Sequence, residues 1–219
     1  MWLRIIESKG KMSNVQMLKN KSLFIFGSIL LIFIFSVSVI TAMWPRSSEN
    51  FFELGLLGKD KKAEGYFDSN NSTITIGKLM IWNIYLSNNM GNDQGVIIKM
   101  KLLNSSAQMP NDRSHVPSPV RSYYEIPVVL SEDESRIIPF IWTVSKVQYQ
   151  GGFEHIEGLT INDKTVNVDV MSSDSSFRIV FELWVYNEST GEYVFSWNSG
   201  KELYSASVFM WFKMDSSLK

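Results

Sequence analysis

The chain has 219 residues, nearly equal numbers of basic and acidic side chains, 21 and 22, and no cysteine. The lack of cysteine excludes a disulfide framework, so an extracytoplasmic domain of this chain must be held together by packing alone. No basic cluster is present, which argues against nucleic acid as a partner. Charge is nonetheless uneven, because residues 1–22 hold only Glu7 against the basic side chains of Arg4, Lys9, Lys11, Lys19 and Lys21.

Residues 23–44 read LFIFGSILLIFIFSVSVITAMW and contain no charged side chain. As a helix they extend roughly 33 Å, enough to cross the ~30 Å hydrocarbon core of a lipid bilayer. We therefore predict a single transmembrane helix. Because basic residues beside a span tend to stay inside, residues 1–22 are predicted as a cytoplasmic tail and the C-terminal part as extracytoplasmic. A cleaved signal peptide is the alternative, although its apolar region normally covers only about 7–15 residues.

Residues 45–50 form a short polar linker, and residues 51–215 are predicted as one extracytoplasmic domain. Its apolar side chains recur at every second position, which is the period of a β-strand with one buried face. Many such short segments, separated by Asn, Gly, Ser and Asp turns, predict a mainly β fold, an antiparallel β-sandwich. Examples of the alternation are Met80-Trp82-Ile84-Leu86, Val96-Ile98-Met100-Leu102, Ile138-Phe140-Trp142-Val144 and Phe177-Ile179-Phe181-Leu183-Val185.

One long loop interrupts this pattern. Residues 104–121 read NSSAQMPNDRSHVPSPVR and include Pro110, Pro117 and Pro119. Loops longer than about 12–15 residues are usually functional or disordered. We therefore treat this proline-rich loop (Asn104–Arg121) as a region of interest.

Several segments resemble a known family. They are FFELGLLGKDKKAEGYF at Phe51–Phe67, ITIG at Ile74–Gly77, Pro139-Phe140-x-Trp142, and FELWVYN at Phe181–Asn187. Together they are similar to the archaeal membrane-anchored domain-of-unknown-function family numbered sixteen-sixteen. The resemblance implies an Ig-like β-sandwich on the outer face of an archaeal membrane, and it implies no active site. Many members carry several membrane spans, whereas one is predicted here.

The two histidines of the sequence are the candidates for metal binding. Glu154, His155 and Glu157 lie close together and offer one nitrogen and two carboxylates, and His115 lies in the proline-rich loop. A tight metal site usually needs three or four ligands at recognisable spacing, which this sequence lacks. We predict a polar hairpin tip at Glu154–Glu157 after Gly151-Gly152 and no bound cofactor, while convergence of the two histidines in space stays open.

Two aromatic residues are candidates for a contact surface. In the segment Phe181–Asn187, Trp184 and Tyr186 alternate with the apolar side chains and share a face with Glu182. An aromatic pair on an otherwise polar face fits a protein partner or a sugar ring. The alternative is that both faces of this strand are covered within the sandwich.

Glycosylation sequons of the form Asn-x-Ser/Thr start at four positions in the predicted extracytoplasmic part: Asn70, Asn71, Asn104 and Asn187. Attachment of a glycan is physically feasible on that side of a membrane.

The sequence contains no nucleophile elbow, phosphate-binding glycine loop or acid–base pair, so we predict no enzyme activity. The first hypothesis is a single-pass membrane protein whose external sandwich acts by protein contact. It would serve as a cell-envelope module or as an accessory subunit beside other membrane-protein subunits. The alternative is a metal- or glycan-binding extracytoplasmic domain.

Overall fold

The computed structural model describes residues 29–36, 50–68 and 71–215, and the regular structure in the last two ranges is all β-strand. The chain divides into two compact units, Met1–Ser48 and Glu49–Lys219. In the first unit, residues 29–36 form a helix, α1, within the predicted membrane span; the rest of the predicted span 23–44, the tail 1–22 and the linker residues 45–49 lie outside the described residues. No helix in the described part of the chain is long and apolar enough to cross a membrane.

The second unit contains the strands. In chain order these are β1 (Phe51–Leu57), β2 (Thr73–Ile74), β3 (Met80–Asn89), β4 (Gln94–Asn104), β5 (Tyr124–Leu130), β6 (Ser135–Gln150), β7 (Phe153–Ile161), β8 (Lys164–Ser172), β9 (Ser176–Asn187), β10 (Glu192–Val194), β11 (Trp197–Ser199), β12 (Glu202–Tyr204) and β13 (Ser207–Met214).

Two antiparallel sheets are built from these strands, as the alternation predicts. Sheet 1 has the order β1-β3-β6-β7-β8, and sheet 2 has the order β2-β13-β9-β4-β5 with β10 also paired to β9. The short β2 pairs in parallel with β13, whereas the other ladders among the described residues are antiparallel. The strands β11 and β12 form a separate antiparallel ribbon. The orders β1-β3-β6 and β5-β4-β9-β13 correspond to strands A-B-E and C′-C-F-G of immunoglobulin-type sandwiches.

Aromatic side chains join the two sheets across the core. Phe140 of sheet 1 meets Phe181 of sheet 2 edge-to-face with ring centroids 4.8 Å apart, and Trp142 meets Phe212 at 5.2 Å. Trp82 lies beside Trp142 within sheet 1, and all five side chains are fully buried. Each contributes roughly 1.5–3 kcal/mol by leaving water, so these side chains help to hold the two sheets together.

Two strands differ from the prediction. The alternation does not predict β5, because Pro127 interrupts its pattern. The strand lies at the edge of sheet 2, where a residue without an N–H group is tolerated. The predicted hairpin tip at Glu154–Glu157 is also wrong. The tip is Gly151-Gly152, whose φ angles of 61° and 86° allow a tight turn, and Glu154–Glu157 already belong to β7.

Candidate functional site

A buried ion pair lies on the outer face of sheet 2. Phe181 and Leu183 of β9 point into the core, so Glu182 between them points outward, beside Lys101 of β4. The Lys101 Nζ atom is 2.8 Å from Glu182 Oε2, and the two side chains are only 4% and 0% exposed. An outward-facing pair can be this well buried only if something covers the sheet.

The proline-rich loop is that cover. The Ser118 N–H donates to Glu182 Oε1 at 2.8 Å, and the Lys101 ammonium donates to the Ser118 carbonyl at 2.6 Å. The Trp184 indole N–H completes the network by donating to Glu182 Oε2 at 3.0 Å. Both charges are therefore hydrogen-bonded as well as paired, which is what burial of charge requires. We call Lys101, Ser118, Glu182 and Trp184 the loop lock.

A second attachment holds the first half of the loop. The carboxylate of Asp112 accepts hydrogen bonds from the Ser207 N–H at 3.2 Å and from its hydroxyl at 3.0 Å. Burial raises the pKa of Asp112, and the charge of Glu182 raises it further, while the bonds from Ser207 oppose the shift. Inside the loop, Asn111 and Val116 exchange two backbone hydrogen bonds. The loop is thus fixed at several points along its length.

His115 is part of the same attachment. It has a φ of 56° in the loop, and its Nδ1 atom lies 3.1 Å from Ser205 Oγ. Because the Ser205 hydroxyl donates to the Asp112 carbonyl at 3.0 Å, His115 Nδ1 carries the proton and donates to Ser205. The histidine therefore has a hydrogen-bonding role in the loop.

The other metal candidates lie elsewhere and do not converge. His155 bridges two carboxylates, with Nε2 2.7 Å from Asp169 Oδ1 and Nδ1 3.5 Å from Glu157 Oε1, and Glu157 also pairs with Lys146. Glu154 is buried on the opposite face of β7, where neither carboxylate oxygen has a hydrogen-bond partner. In the described ranges no three His, Cys, Asp or Glu side chains are placed to hold a metal ion.

The aromatic candidates have different environments. Trp184 is half-buried, with the Lys99 ammonium 3.6 Å above its ring centroid and Phe195 at 6.1 Å. Tyr186 is 41% exposed and contacts Tyr193 edge-to-face at 5.3 Å. The Trp184 side chain therefore makes most of its contacts within the domain, whereas part of the Tyr186 ring is exposed to solvent.

Tyr186 also lines a cleft of about 200 Å³ at the end of the sandwich where β9 turns into β10. We call it the β9–β10 cleft. Trp197 forms part of its wall, together with polar side chains from the start of β4, the β9–β10 hairpin and residues 196 and 198 beside Trp197. These polar residues are Gln94, Asn187, Glu188, Ser196 and Asn198.

The sequons differ in how their asparagine side chains are bonded. Asn71 is exposed, and its Oδ1 accepts from the Thr73 N–H and hydroxyl. Asn187 accepts from the Ser189 N–H. Asn104 is the most constrained, because its Oδ1 accepts from Ser106 and Ala107 while its Nδ2 donates to the Met171 carbonyl. Asn70 lies outside the described residues.

Sequence reasoning did not find Lys101. It occupies an outward position of β4, 81 residues before Glu182, and such positions are ordinarily solvated. The available signal was the combination of an outward Glu182 with a long proline-containing loop, which together indicate a covered sheet face.

Comparison with known proteins gives fold-level likeness only. No family model matches the chain, and no curated protein matches it. Among solved structures it is similar to the CARDB domain of a Pyrococcus furiosus protein, crystallised with two metal ions, at 11% identity and a TM-score of 0.37, covering 76% of this chain and 94% of that domain. Beta-glucosidases from Listeria innocua and Erythrobacter marinus match at 12% and 10% identity, with TM-scores of 0.35 and 0.36. In each case the match covers 16% of the enzyme. The resemblance to family sixteen-sixteen gains no support from these comparisons.

Proposed function

We propose that this chain is a single-pass membrane protein whose Ig-like β-sandwich contacts other proteins on the extracytoplasmic side. It acts as a cell-envelope module or as an accessory subunit of a membrane complex. The observation that carries the proposal is the proline-rich loop, which the loop lock holds against the outer face of sheet 2.

A loop fixed in this way is suited to recognition. Binding residues are commonly carried on loops that a rigid scaffold positions. A loop that is ordered before binding loses little further conformational entropy in the complex, so more of the contact energy appears as affinity. The surface it presents includes Arg113 and Val116, the latter 45% exposed. An apolar group beside a cation is a suitable contact for an acidic and apolar protein surface.

The membrane location is supported by the sequence. Residues 23–44 are long and apolar enough to span a bilayer, and the basic tail before them favours an inside N-terminus.

Orientation can be tested directly because the chain contains no cysteine. We expect a membrane-impermeant maleimide to label Lys201→Cys in intact cells and to label Ser8→Cys only after permeabilisation. Labelling of Ser8→Cys in intact cells, or failure of both sites to label until the cells are opened, would refute the proposed orientation.

Partner contact is tested by mild detergent extraction from native membranes, separation on native gels and mass spectrometry of comigrating proteins. We expect a complex of fixed stoichiometry that is lost in the double variant Arg113→Glu/Val116→Asp. The matched control is Lys164→Glu, because Lys164 is exposed at the start of β8 and is not part of the loop. Migration as a lone or self-associated species, or a complex unaffected by the loop variant, would reject contact through this loop.

A further inference from the structure

Several polar side chains that line the β9–β10 cleft have no hydrogen-bond partner among the described residues. The side chains of Glu188, Ser196 and Asn198 make no hydrogen bond or ion pair with any other described residue. Trp197 forms an apolar part of the wall and is only 7% exposed. Polar side chains that face a concave surface without a partner in the protein are available to bond a ligand there.

The charge of the lining side chains and the volume of the cleft restrict the class of ligand that it can bind. Glu188 contributes the cleft's single carboxylate and no cationic side chain lines it, which disfavours phosphates and other anions. One carboxylate is also too few for a tight metal site. The volume of about 200 Å³ is below the roughly 300–1,000 Å³ of pockets for drug-sized molecules and admits one small ring.

We infer that the β9–β10 cleft binds one neutral pyranose ring, as a terminal sugar of an envelope glycan. Side-chain amides, a carboxylate and a hydroxyl match the hydroxyl groups of a sugar, which both donate and accept hydrogen bonds. The Tyr186 ring supplies an apolar wall for the C–H face of the sugar. This site is separate from the proline-rich loop and does not depend on contact through it.

The test is saturation-transfer NMR on the full chain in lipid nanodiscs, since detergents with sugar headgroups would compete. The probes are the methyl glycosides of glucose, galactose, mannose and N-acetylglucosamine, with sorbitol as an open-chain polyol control. We expect at least one pyranoside to receive saturation with millimolar affinity, which is typical of a ligand this small, and sorbitol to receive none.

Two variants locate the binding. Ser196→Leu fills the cleft and is expected to abolish the signal, and Asn198→Leu removes an amide and is expected to weaken binding about tenfold. Lys201→Leu is the control, because Lys201 is exposed in the same β11–β12 ribbon but does not line the cleft. Circular dichroism establishes that each variant is folded.

Absence of saturation for all four pyranosides, an equal signal from sorbitol, or an undiminished signal in folded Ser196→Leu would overturn the inference. The loop variant Arg113→Glu/Val116→Asp is expected to bind the pyranoside normally. The outcome here is therefore independent of whether the loop contacts a protein.

Discussion

Glu182 is the residue on which the covered face of sheet 2 depends. Its carboxylate accepts hydrogen bonds from Ser118 and Trp184 and pairs with Lys101. We predict that Glu182→Leu lowers the free energy of unfolding by about 3–5 kcal/mol, because it leaves the ammonium of Lys101 buried without a counter-charge. Urea unfolding followed by tryptophan fluorescence measures the change.

The double variant Lys101→Met/Glu182→Leu tests whether the loss of stability comes from leaving one charge buried without its partner, because it removes both charges. Replacing both charges by apolar groups of similar size is often nearly neutral, so we expect most of the lost stability to return. Glu192→Gln, at an exposed position of β10, is the control. If the double variant were as unstable as Glu182→Leu alone, the buried charge of Lys101 would not be the cause.

Two aspartates are predicted to give stability opposite dependences on pH. Burial raises the pKa of Asp112, whereas the hydrogen bond from the Ser172 hydroxyl to Asp174 lowers the pKa of Asp174. The folded state thus binds a proton at Asp112 more tightly than the unfolded chain does, and this contribution is lost as pH rises through the raised pKa. The contribution of Asp174 is present above its ordinary pKa and is lost as pH falls through the lowered one.

We therefore expect the free energy of unfolding of the wild type to exceed that of Asp112→Asn by a larger amount at pH 3 than at pH 7. The corresponding difference between the wild type and Asp174→Asn is expected to be smaller at pH 3 than at pH 7. Urea titrations at about pH 3, 5 and 7 measure both differences. Equal differences at all three pH values would show that neither carboxyl group changes its pKa on folding.

At the scale of elements, the proline-rich loop is held against sheet 2 by hydrogen bonds and is not a free connection between strands. We predict that Lys101→Met accelerates tryptic cleavage after Arg113 at least about tenfold, because the variant loses the bonds of Lys101 to the loop and to Glu182. A tenfold acceleration corresponds to a decrease of only about 1.4 kcal/mol in the free energy of local opening. Cleavage after Lys164, at the start of β8, provides the internal comparison. Equal acceleration at both sites would indicate general destabilisation instead of release of the loop.

The strands that the sequence predicts well are those whose core-facing positions are apolar throughout. Along β3, Met80, Trp82, Ile84 and Leu86 alternate without interruption, and all four are buried. β5 is hard to predict from the sequence because it contains Pro127. Proline is tolerated in an edge strand but destabilises a central strand, and only the sheet order shows that β5 is an edge strand.

The candidate site was harder to predict than the fold. The loop was identified by its length, but the attachment to Glu182 and Lys101 joins positions far apart in sequence on faces that normally meet water. His155 and Glu154 are adjacent in sequence but lie on opposite faces of β7, as the two-residue period of a strand requires. A short-range cluster of ligating residue types is therefore poor grounds for a metal site within a strand.

At the scale of the whole molecule, the sandwich of the unit Glu49–Lys219 has its own core. We predict that a fragment of residues 49–219 is monomeric without detergent and unfolds cooperatively in urea, because core contacts such as Phe140–Phe181 lie within it. The full chain is expected to need detergent or lipid. A fragment that aggregates, or that lacks a cooperative transition, would contradict this.

Pro127 limits how a second copy of the domain could pair with sheet 2. An open strand edge is a template for unwanted polymerisation. β5 is the outer strand on one side of sheet 2, and Pro127 removes a backbone donor from its middle. A second copy therefore cannot extend sheet 2 beyond β5 with a complete ladder of hydrogen bonds.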